Sequence, residues 1–405
     1  MKILVIGGTL FLGRAIVDDA LRAGHKLTLF NRGKTNPALY PDIEHIAGDR
    51  NGDLSRLEGR AFDAVIDTSG YFPRQVIAVV DARGDRLGHY TFVSSASVYA
   101  DQSTPGADES AALATIADPS NEDLETGYGG FKALCEQALE ARLPGRVHSV
   151  RAGLIVGPYD NTGRFSYWVD RIAAGGEVLA PEPQNQPVQI IDVRDLARWI
   201  VHAAEAKISG AINAMGTPGA LTLGSLLDAI CAETESSARL TWVAEDFLIA
   251  RKIAPWQQLP LWLPPKSVPE DAGFMSRDTR KALALGLKFR PVTETIAATR
   301  DFLKTTGKLT TEKDFGNILE RPGLTPELER ELLRDWHAQN LVASGLTGAY
   351  ICPIMPEAGS TSPPAGRSCA PRSHAAGRLT TTKLSSFAQP KNQELFPAIR
   401  SIFFA

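Results

Sequence analysis

Residues 1–34 read MKILVIGGTLFLGRAIVDDALRAGHKLTLFNRGK, and this stretch decides the fold. Residues 3–6 are apolar and β-rich, which predicts a strand buried on both faces of a parallel sheet. A glycine-rich turn follows, and apolar residues then recur at helical spacing until Gly24. A second apolar strand is predicted at residues 27–30. Strand, glycine turn, helix and strand in this order predict a βαβ unit whose helix N-terminus holds a pyrophosphate.

The glycine turn is the candidate cofactor loop. In a Gly-x-x-Gly-x-x-Gly pattern counted from Gly7, the middle position is Leu10, where a glycine normally lets the backbone approach the phosphates. Either the Leu10 side chain turns away or Gly8 supplies that approach. The alternative interpretation is a purely structural turn between strand and helix. The loop residues that we expect to contact the cofactor are Gly7, Gly8, Thr9, Phe11, Leu12 and Gly13.

The end of the second strand bears on which dinucleotide binds. A carboxylate there would bind a ribose 2′-hydroxyl, whereas an arginine accommodates a 2′-phosphate. The chain has Asn31-Arg32-Gly33-Lys34, with two cations and no carboxylate. This favours NADP(H) over NAD(H), with Asn31, Arg32 and Lys34 as cofactor candidates. The alternative is that Arg32 and Lys34 merely solvate a loop.

Further strands are predicted at residues 43–47, 64–67, 90–93, 147–151, 211–214 and 240–243. Ligands of a doubly wound sheet lie at the carboxyl ends of its strands. Asp49 could therefore accept a hydrogen bond from adenine, and Ser69 could line the cofactor site. Either residue could instead be only a turn former.

Tyr128 and Lys132 are four residues apart in a segment that predicts a helix. Residues at i and i+4 share one helix face, so both side chains can reach one pocket. A fixed cation stabilises a phenolate, so Tyr128 could exchange a proton with a substrate oxygen while the nicotinamide exchanges the hydride. Ser95, at the end of a strand, could orient the same oxygen. By itself, Tyr-x-x-x-Lys more often marks only a solvated helix face.

In combination these motifs resemble an extended short-chain dehydrogenase/reductase of the NAD-dependent epimerase/dehydratase family. The resemblance covers roughly residues 1–305. Within it, the chain is most similar to bacterial isoflavone-reductase-like reductases, and it is also similar to chloroplast stem-loop RNA-binding proteins. The matching stretches are residues 7–13 (GGTLFLG), 94–99 (SSASVY), Tyr128 with Lys132, 151–158 (RAGLIVGP) and 189–197 (QIIDVRDLA).

The resemblance implies Ser95, Tyr128 and Lys132 as the catalytic triad and Asp49 as an adenine contact. Sugar-nucleotide dehydratases of this class carry Asp-Glu directly after the catalytic Ser or Thr, whereas Ser95 is followed by Ala96-Ser97. This argues against a 4,6-dehydratase and favours simple redox chemistry or epimerisation. The fold implied is α/β, a Rossmann-type doubly wound parallel sheet with a smaller C-terminal substrate lobe. Pairing through a helix bundle makes a homodimer the expected assembly.

Composition gives the broad class. The net charge of -3 and pI of about 6.2 favour neither a nucleic-acid nor an anionic membrane partner. No apolar run approaches the ~20 residues of a membrane span. The four cysteines form no Cys-x-x-Cys pair, which favours a reducing compartment and no metal site. We therefore expect a cytoplasmic protein that binds a small-molecule substrate.

The expected domains are a dinucleotide-binding domain at residues 1–155, a substrate lobe at 156–310 with returning sheet segments around 185–215, a helical extension at 311–343 and a disordered tail at 344–405. In the substrate lobe, Arg164 could clamp a substrate anion, with Tyr167 or Trp168 stacking on a ring. An aromatic helix face in the core explains the same residues. The proline-rich, aromatic stretch 254–265 is interpreted as a substrate lid or a rigid connection.

Three functions remain open from the sequence. The first is an NAD(P)(H)-dependent oxidoreductase acting on a carbonyl or secondary alcohol. The second is a sugar-nucleotide epimerase with the same triad, because a retained cofactor can return the hydride to the other face. The third is a nucleotide- or RNA-binding protein that has kept the fold and lost turnover. The triad and the lack of basic clusters in the folded part favour an enzyme.

Overall fold

The computed structural model describes residues 1–306 and 322–343. The strands in these residues are β1 (Lys2–Ile6), β2 (Lys26–Asn31), β3 (Glu44–Ala47), β4 (Phe62–Asp67), β5 (Leu87–Ser95), β6 (Val147–Ala152), β7 (Leu154–Val156), β8 (Glu177–Pro181), β9 (Ile190–Asp192), β10 (Gly210–Ala214) and β11 (Arg239–Val243). The helices are α1 (Phe11–Arg22), α2 (Pro73–Arg83), α3 (Leu124–Arg142), α4 (Arg164–Ala173), α5 (Val193–Glu205), α6 (Leu223–Thr234), α7 (Glu245–Ala250), α8 (Arg280–Ala284), α9 (Val292–Thr306) and α10 (Pro326–Ala343).

Seven parallel strands form the main sheet in the order β10-β6-β5-β4-β1-β2-β3. The chain builds outward from β1 through β2 to β3 and then returns to add β4 on the other side of β1. The direction of winding reverses between β1 and β4, which is where ligands of such sheets bind. The Rossmann-type fold expected from the sequence is thus confirmed.

Helices cover both faces of the sheet. Ile3 and Val5 face α1 and α5, whereas Leu4 and Ile6 face α2 and α3, and all four side chains are buried. This explains why β1 is continuously apolar rather than alternating. A separate apolar core fills the second lobe, where α4, α6 and α9 pack together beside the two-stranded parallel sheet of β8 and β11.

Helix α10 packs onto this second lobe. The buried carboxylate of Glu329 accepts hydrogen bonds from the backbone N–H of Leu179 (3.0 Å) and from Nε of Arg171 (2.6 Å). Phe247 and Trp336 meet edge to face with ring centroids 5.0 Å apart. The segment therefore joins the core of the second lobe through both polar and apolar contacts.

Each strand predicted from the sequence is present, with ends that differ by at most three residues. The predicted helix that carries Tyr128 and Lys132 is α3. It begins one turn before Tyr128, at Leu124, because the Asp123 side chain caps it by accepting the Glu125 N–H (2.9 Å). Helix α10 begins at Pro326, where the Thr325 hydroxyl accepts the N–H of Leu328 (3.3 Å), and ends at Ala343. The predicted domain limits stay predictions, and the tail predicted at 344–405 lies outside the described residues.

None of the helices in the described part of the chain has the length and hydropathy to cross a bilayer. The same residues contain no group of three or more His, Cys, Asp and Glu side chains placed to hold a metal ion.

Candidate cofactor and catalytic site

The glycine loop between β1 and α1 has a backbone that other residues would strain. Gly7 and Gly8 have φ values of +106° and +96°, which favour glycine. A Cβ on Gly13 would lie 2.8 Å from the backbone N of Gly8, so this glycine lets α1 pack against the loop. Gly8, rather than the extended Leu10, therefore supplies the unusual conformation that the sequence pattern required.

Helix α1 presents its N-terminus to this loop. Leu10 stands at the N-cap, and its aliphatic side chain cannot accept a hydrogen bond from the first-turn N–H groups. Such a helix end carries partial positive charge and attracts anions. The loop and helix together fit the pyrophosphate of a dinucleotide.

A cleft of about 360 Å³ opens above the carboxyl ends of the central strands. Its volume lies within the ~300–1,000 Å³ range typical of ligand pockets. It is lined by all eleven residues predicted to bind cofactor and by Tyr128 and Lys132 of the predicted triad. The eleven are Gly7, Gly8, Thr9, Phe11, Leu12, Gly13, Asn31, Arg32, Lys34, Asp49 and Ser69. The fold thus brings the two separate sequence motifs into one cavity.

Asn31 fixes the end of β2 against the glycine loop. Its Nδ2 donates to the carbonyl oxygen of Gly7 (2.8 Å), and its Oδ1 accepts the N–H of Gly33 (2.9 Å). Arg32 and Lys34 flank this brace and are exposed on the cleft wall. Asn31 therefore has a defined structural role, whereas the two cations are available to a ligand.

The sequence analysis did not identify the ion pair between Arg50, which lines the cleft, and Asp67. Arg50 makes two hydrogen bonds of 2.8 Å to Asp67 and one of 3.2 Å to the hydroxyl of Ser69. Burial alone would raise the pKa of Asp67, but the Arg50 guanidinium holds it below its usual value. From the sequence, Asp49 was expected to contact adenine, and Arg50 was not considered. In the structure, Asp49 accepts the backbone N–H of Asn51 (2.9 Å).

Lys132 is anchored by the main sheet. Its Nζ donates to the carbonyl oxygens of Gly70 and Val93, each at 2.8 Å, and lies 5.8 Å from the ring centroid of Tyr128. Burial lowers the pKa of Lys132 to about 8, so the amine is mainly protonated at neutral pH. The helix face shared by Tyr128 and Lys132 therefore carries a fixed cation beside a phenol.

Tyr71 is a second phenol at this place. Its ring centroid lies 5.0 Å from Lys132 Nζ and 6.5 Å from the ring of Tyr128. Burial raises the pKa of the Tyr71 hydroxyl. The sequence analysis did not select Tyr71, because a tyrosine in a loop carries no periodic signal. Only its position just after Thr68-Ser69-Gly70 could have indicated that it lies in the cleft.

The two serines at the end of β5 face different surroundings. Ser94 lines the cleft and donates its hydroxyl hydrogen to Glu136, which is itself paired with Arg151 (2.8 Å). Ser95 lines a smaller adjoining cavity of about 20 Å³, and its Oγ accepts the N–H of Ser97 (3.1 Å). Of the predicted triad, Ser95 therefore lines the cavity on one side of the boundary, whereas Tyr128 and Lys132 line the cleft on the other.

Phe11 and Ile155 form that boundary, because both residues line both cavities. On the far side of it, α3 touches the turn that follows Ser95. A Cβ on Gly129 would lie 2.0 Å from the carbonyl oxygen of Ser97, so a glycine is required for this contact. A glycine inside a helix weakens it by about 1 kcal/mol relative to alanine, and this close packing explains why position 129 carries one.

The three predicted substrate residues separate in the structure. Arg164 is buried and lines the smaller cavity with Ser95. Tyr167 and Trp168 lie in the core of the second lobe, where the Tyr167 hydroxyl accepts the N–H of Leu324 (3.4 Å) and Trp168 Nε1 donates to the Pro260 carbonyl (2.7 Å). The structure thus supports the core interpretation of these two aromatic residues.

The proline-rich stretch 254–265 packs into that same core, as a rigid connection would. Trp256 and Trp262 are both buried, and Trp262 Nε1 donates to the carbonyl of Glu182 (2.9 Å). Trp256 also lines the smaller cavity together with Phe274. From the sequence, Trp256 was considered only as part of the stretch 254–265, and Phe274 was not considered as a site residue.

The fold is of the Rossmann type and belongs to the α/β class. Residues 62–214 match the family model described as NAD dependent epimerase/dehydratase family. This segment therefore carries the domain of that family, and the resemblance predicted from the motifs is confirmed.

Two curated proteins resemble the chain over part of its length. It is 30% identical over 213 residues to the chloroplast stem-loop binding protein of 41 kDa b of Arabidopsis thaliana, which covers 48% of this chain and 53% of that protein. It is 29% identical over 186 residues to 2-alkyl-3-oxoalkanoate reductase of Stenotrophomonas maltophilia, which covers 40% of this chain and 52% of that protein. The chain thus matches about half the length of each.

Solved epimerase structures share the fold. One is UDP-glucuronic acid 4-epimerase from Bacillus cereus in complex with NAD, at 17% identity and a TM-score of 0.56 over 76% of this chain and 100% of that one. Another is UDP-glucose 4-epimerase of Thermotoga maritima with UDP-glucose, at 16% identity and a TM-score of 0.56 over 76% of this chain and 100% of that one. At these identities the likeness establishes the fold alone.

Proposed function

We propose that the protein is an NADP(H)-dependent oxidoreductase that interconverts a carbonyl and a secondary alcohol. One observation carries the proposal. Tyr128 and Lys132 line the same cleft as the glycine loop, although they are more than a hundred residues away in sequence. A proton donor and a dinucleotide cradle in one cavity are what hydride transfer to a carbonyl requires.

The proposed cofactor contacts follow from the cleft wall. The uncapped N-terminus of α1 and the loop from Gly7 to Gly13 hold the pyrophosphate, and Asp49 and Ser69 contact the rest of the dinucleotide. Arg32 and Lys34 bind a 2′-phosphate, which is why we propose NADP(H) before NAD(H). The bound cofactor supplies or accepts the hydride.

The proposed proton chemistry uses the triad. During reduction, the Tyr128 hydroxyl gives its proton to the carbonyl oxygen as the carbonyl carbon receives the hydride, and the reverse occurs during oxidation. The ammonium of Lys132 stabilises the phenolate that remains. Ser95 donates a hydrogen bond that orients the substrate oxygen. In this proposal the substrate oxygen lies near Phe11 and Ile155, the two residues that line both cavities.

The relatives and the solved neighbours favour different functions. The printed name of the Stenotrophomonas relative is that of a reductase, which favours the oxidoreductase proposal. The solved neighbours include epimerases that bind sugar nucleotides, so a sugar-nucleotide epimerase is the second candidate. The Arabidopsis relative is named for stem-loop binding, which keeps a nucleic-acid-binding function as a third.

Cofactor titration tests the proposal. NADPH and NADH are added to the purified protein and to an Arg32→Gln variant, and nicotinamide fluorescence is followed. We expect tighter binding of NADPH and about a tenfold loss of that preference in the variant, because one phosphate partner is removed. Lys26→Gln is the matched control, since Lys26 is an exposed cation at the opposite end of β2.

Failure of both nucleotides to bind near millimolar concentration would reject an oxidoreductase. Salt-dependent binding of a stem-loop RNA by such a protein would then favour the nucleic-acid function. We further propose a cytoplasmic homodimer, and light scattering on the purified protein measures that mass directly.

A further inference from the structure

Tyr71 lies next to the proposed proton-transfer pair. It belongs to the turn between β4 and α2, and it lines the cleft together with Tyr128 and Lys132. The backbone of this turn also contacts α3, because the carbonyl oxygen of Gly70 accepts a hydrogen bond from Lys132 Nζ (2.8 Å). Tyr71 is therefore the neighbour in sequence of a residue that anchors the ammonium group.

Two helices fix the backbone at Tyr71. Gln75, in the first turn of α2, accepts the N–H of Tyr71 (2.9 Å) and that of Phe72 (3.2 Å) through its Oε1. Phe72 packs edge to face against Phe131 of α3, with ring centroids 5.1 Å apart. These contacts determine where the Tyr71 ring lies relative to α3, although the turn has no regular secondary structure.

Aromatic rings face the ammonium of Lys132 from three elements. Its Nζ lies over the rings of Phe92, Tyr71 and Tyr128, at 4.8, 5.0 and 5.8 Å from their centroids. A cation within about 6 Å of an aromatic centroid is attracted by the negative face of the ring, most strongly where water is excluded. Lys132 is 3% exposed, so the attraction acts in a site shielded from water.

The hydrogen-bond acceptors of Lys132 are neutral. Its Nζ donates to the backbone carbonyls of Gly70 and Val93, and burial lowers its pKa to about 8. Ring faces oppose the effect of burial, because they stabilise the ammonium and not the neutral amine. Besides the two phenols, the titratable or charged groups near enough to act on Lys132 are Asp67, Arg50, Cys135 and Glu136.

We propose that Tyr71 is a positioning residue whose ring holds the protonated Lys132 beside Tyr128 and thereby sets the upper pH limit of carbonyl reduction. The inference rests on the proposed function, in which Lys132 stabilises the phenolate of Tyr128. The face of the Tyr71 ring does this, not its hydroxyl. Phe92 supplies another ring face but belongs to the core of the sheet, whereas Tyr71 lies in the cleft wall, where a substitution disturbs less packing.

Lysine titration tests the inference without turnover. The full-length protein is labelled with carbon-13 at lysine Cε, whose chemical shift is followed from about pH 6 to pH 11, and the Lys132 signal is assigned by its absence in Lys132→Met. Wild type and Tyr71→Phe should have the same Lys132 midpoint. In Tyr71→Leu the midpoint should fall by about 0.5–1 pH unit, because one ring face is lost. Tyr159→Leu removes an exposed tyrosine outside this cluster and should leave the midpoint unchanged.

Kinetics tests the consequence for the reaction. The probe is ethyl acetoacetate, and kcat/KM for its reduction by NADPH is measured against pH. Tyr71→Leu should lose about three- to tenfold at pH 9 and stay close to the wild type at pH 6, because its Lys132 loses its proton at lower pH. Tyr71→Phe should follow the wild-type profile. An equal loss at every pH would mean that Tyr71 has only a structural role, and would overturn the inference.

A second variant keeps the packing of the ring. Tyr71→pentafluorophenylalanine has nearly the shape of Tyr71→Phe, but the fluorine atoms remove the negative charge from the ring face. The Lys132 midpoint should fall in this variant as it does in Tyr71→Leu, which decides the inference even if Tyr71→Leu does not fold.

The outcomes separate the inference from the proposed function. An unchanged Lys132 midpoint in both Tyr71→Leu and the fluorinated variant rejects the inference, even if the protein reduces carbonyl compounds. If the midpoint falls but the protein binds neither NADPH nor NADH, the oxidoreductase proposal fails, and the part of the inference that concerns the reaction fails with it.

Discussion

The cofactor cleft and the second lobe use polar and aromatic residues in opposite ways. At the cleft, glycines, strand ends and one helix N-terminus expose backbone and side-chain groups to a cavity. In the second lobe, Tyr167, Trp168 and Glu329 direct their polar atoms to other parts of the same lobe. Residues of similar chemistry therefore line an open cleft in one region and hold the core together in the other.

The difference follows from the geometry of the sheet. Parallel strands all end at one edge, so polar residues just after a strand face the crevice there. A helix in the second lobe has neighbours on several sides, and its aromatic residues can face any of them. Substitutions in the cleft should therefore change chemistry and cofactor affinity, whereas those in the second lobe should change the free energy of unfolding.

Tyr128→Phe should have the largest effect. It removes the proton donor and keeps the ring, so kcat/KM should fall by about 10³-fold. The NADPH dissociation constant should change less than about threefold, because the hydroxyl is not a phosphate contact. Steady-state kinetics measures kcat/KM, and fluorescence titration measures the NADPH dissociation constant. Tyr71→Phe is the matched control, expected to lose less than about tenfold, and an equal loss in both would mean that the phenols share the role.

Gly13→Ala should weaken NADPH binding by about 10- to 100-fold. The new Cβ would lie 2.8 Å from the N and 3.0 Å from the Cα of Gly8, so α1 must move away from the loop. Gly52→Ala adds the same atom near the cleft at an ordinary 3.6 Å from the Asp49 carbonyl, and it should bind as the wild type does. Normal binding by Gly13→Ala would show that the cradle lies elsewhere.

Glu329→Gln should lower the free energy of unfolding by about 1–3 kcal/mol, because the half-buried Arg171 guanidinium loses its charged partner. Urea denaturation measures this change. Glu327→Gln, on the same helix but exposed, should stay within about 0.5 kcal/mol of the wild type. NADPH affinity should be equal in all three proteins, and a parallel loss of affinity would contradict the separation of the two regions.

His148 tests whether the sheet domain also holds purely structural polar residues. Its ring is buried against Trp199, and burial lowers its pKa to about 3, so the folded protein keeps it neutral. In the unfolded chain, His148 binds a proton below a pH of about 6.5. This proton binding should lower the free energy of unfolding by about 1.4 kcal/mol at pH 5.5, relative to a pH at which His148 is neutral in both states.

In His148→Phe that part of the pH dependence should be absent, as urea denaturation at pH 7 and 5.5 would show. His202→Gln, at an exposed position, should retain the wild-type slope. Equal slopes in wild type and His148→Phe would mean that His148 is protonated in the folded state.

Much of the sheet could be predicted because buried parallel strands are short, continuously apolar and followed by glycine or polar turns. The cleft residues followed from the same rule, since Gly7, Asn31, Asp49 and Ser69 each lie at the end of a strand or within two residues after it. Strand β7 and strand β9 were harder, because each has only three residues in the described structure. A run that short gives no reliable period.

The second lobe limits what sequence alone can give. Arg164 and Tyr167 are three residues apart on α4, yet one lines a cavity and the other meets Leu324 of the C-terminal segment. That partner is more than 150 residues away, so no local pattern distinguishes the two. Trp256 and Phe274 reach the cavity through irregular backbone, where neither helical nor strand periodicity applies.

The contact between Gly129 and the Ser97 carbonyl bears on how substrate range could change during evolution. Contact between the backbone at Gly129 and at Ser97, rather than a side chain, sets how closely α3 approaches the turn after Ser95. Mutations that reshape the walls at Trp256 or Phe274 would leave this spacing untouched. The residues of the proposed triad would thus keep their alignment while the walls of the smaller cavity change, which makes Trp256 and Phe274 suitable positions for a directed-evolution library.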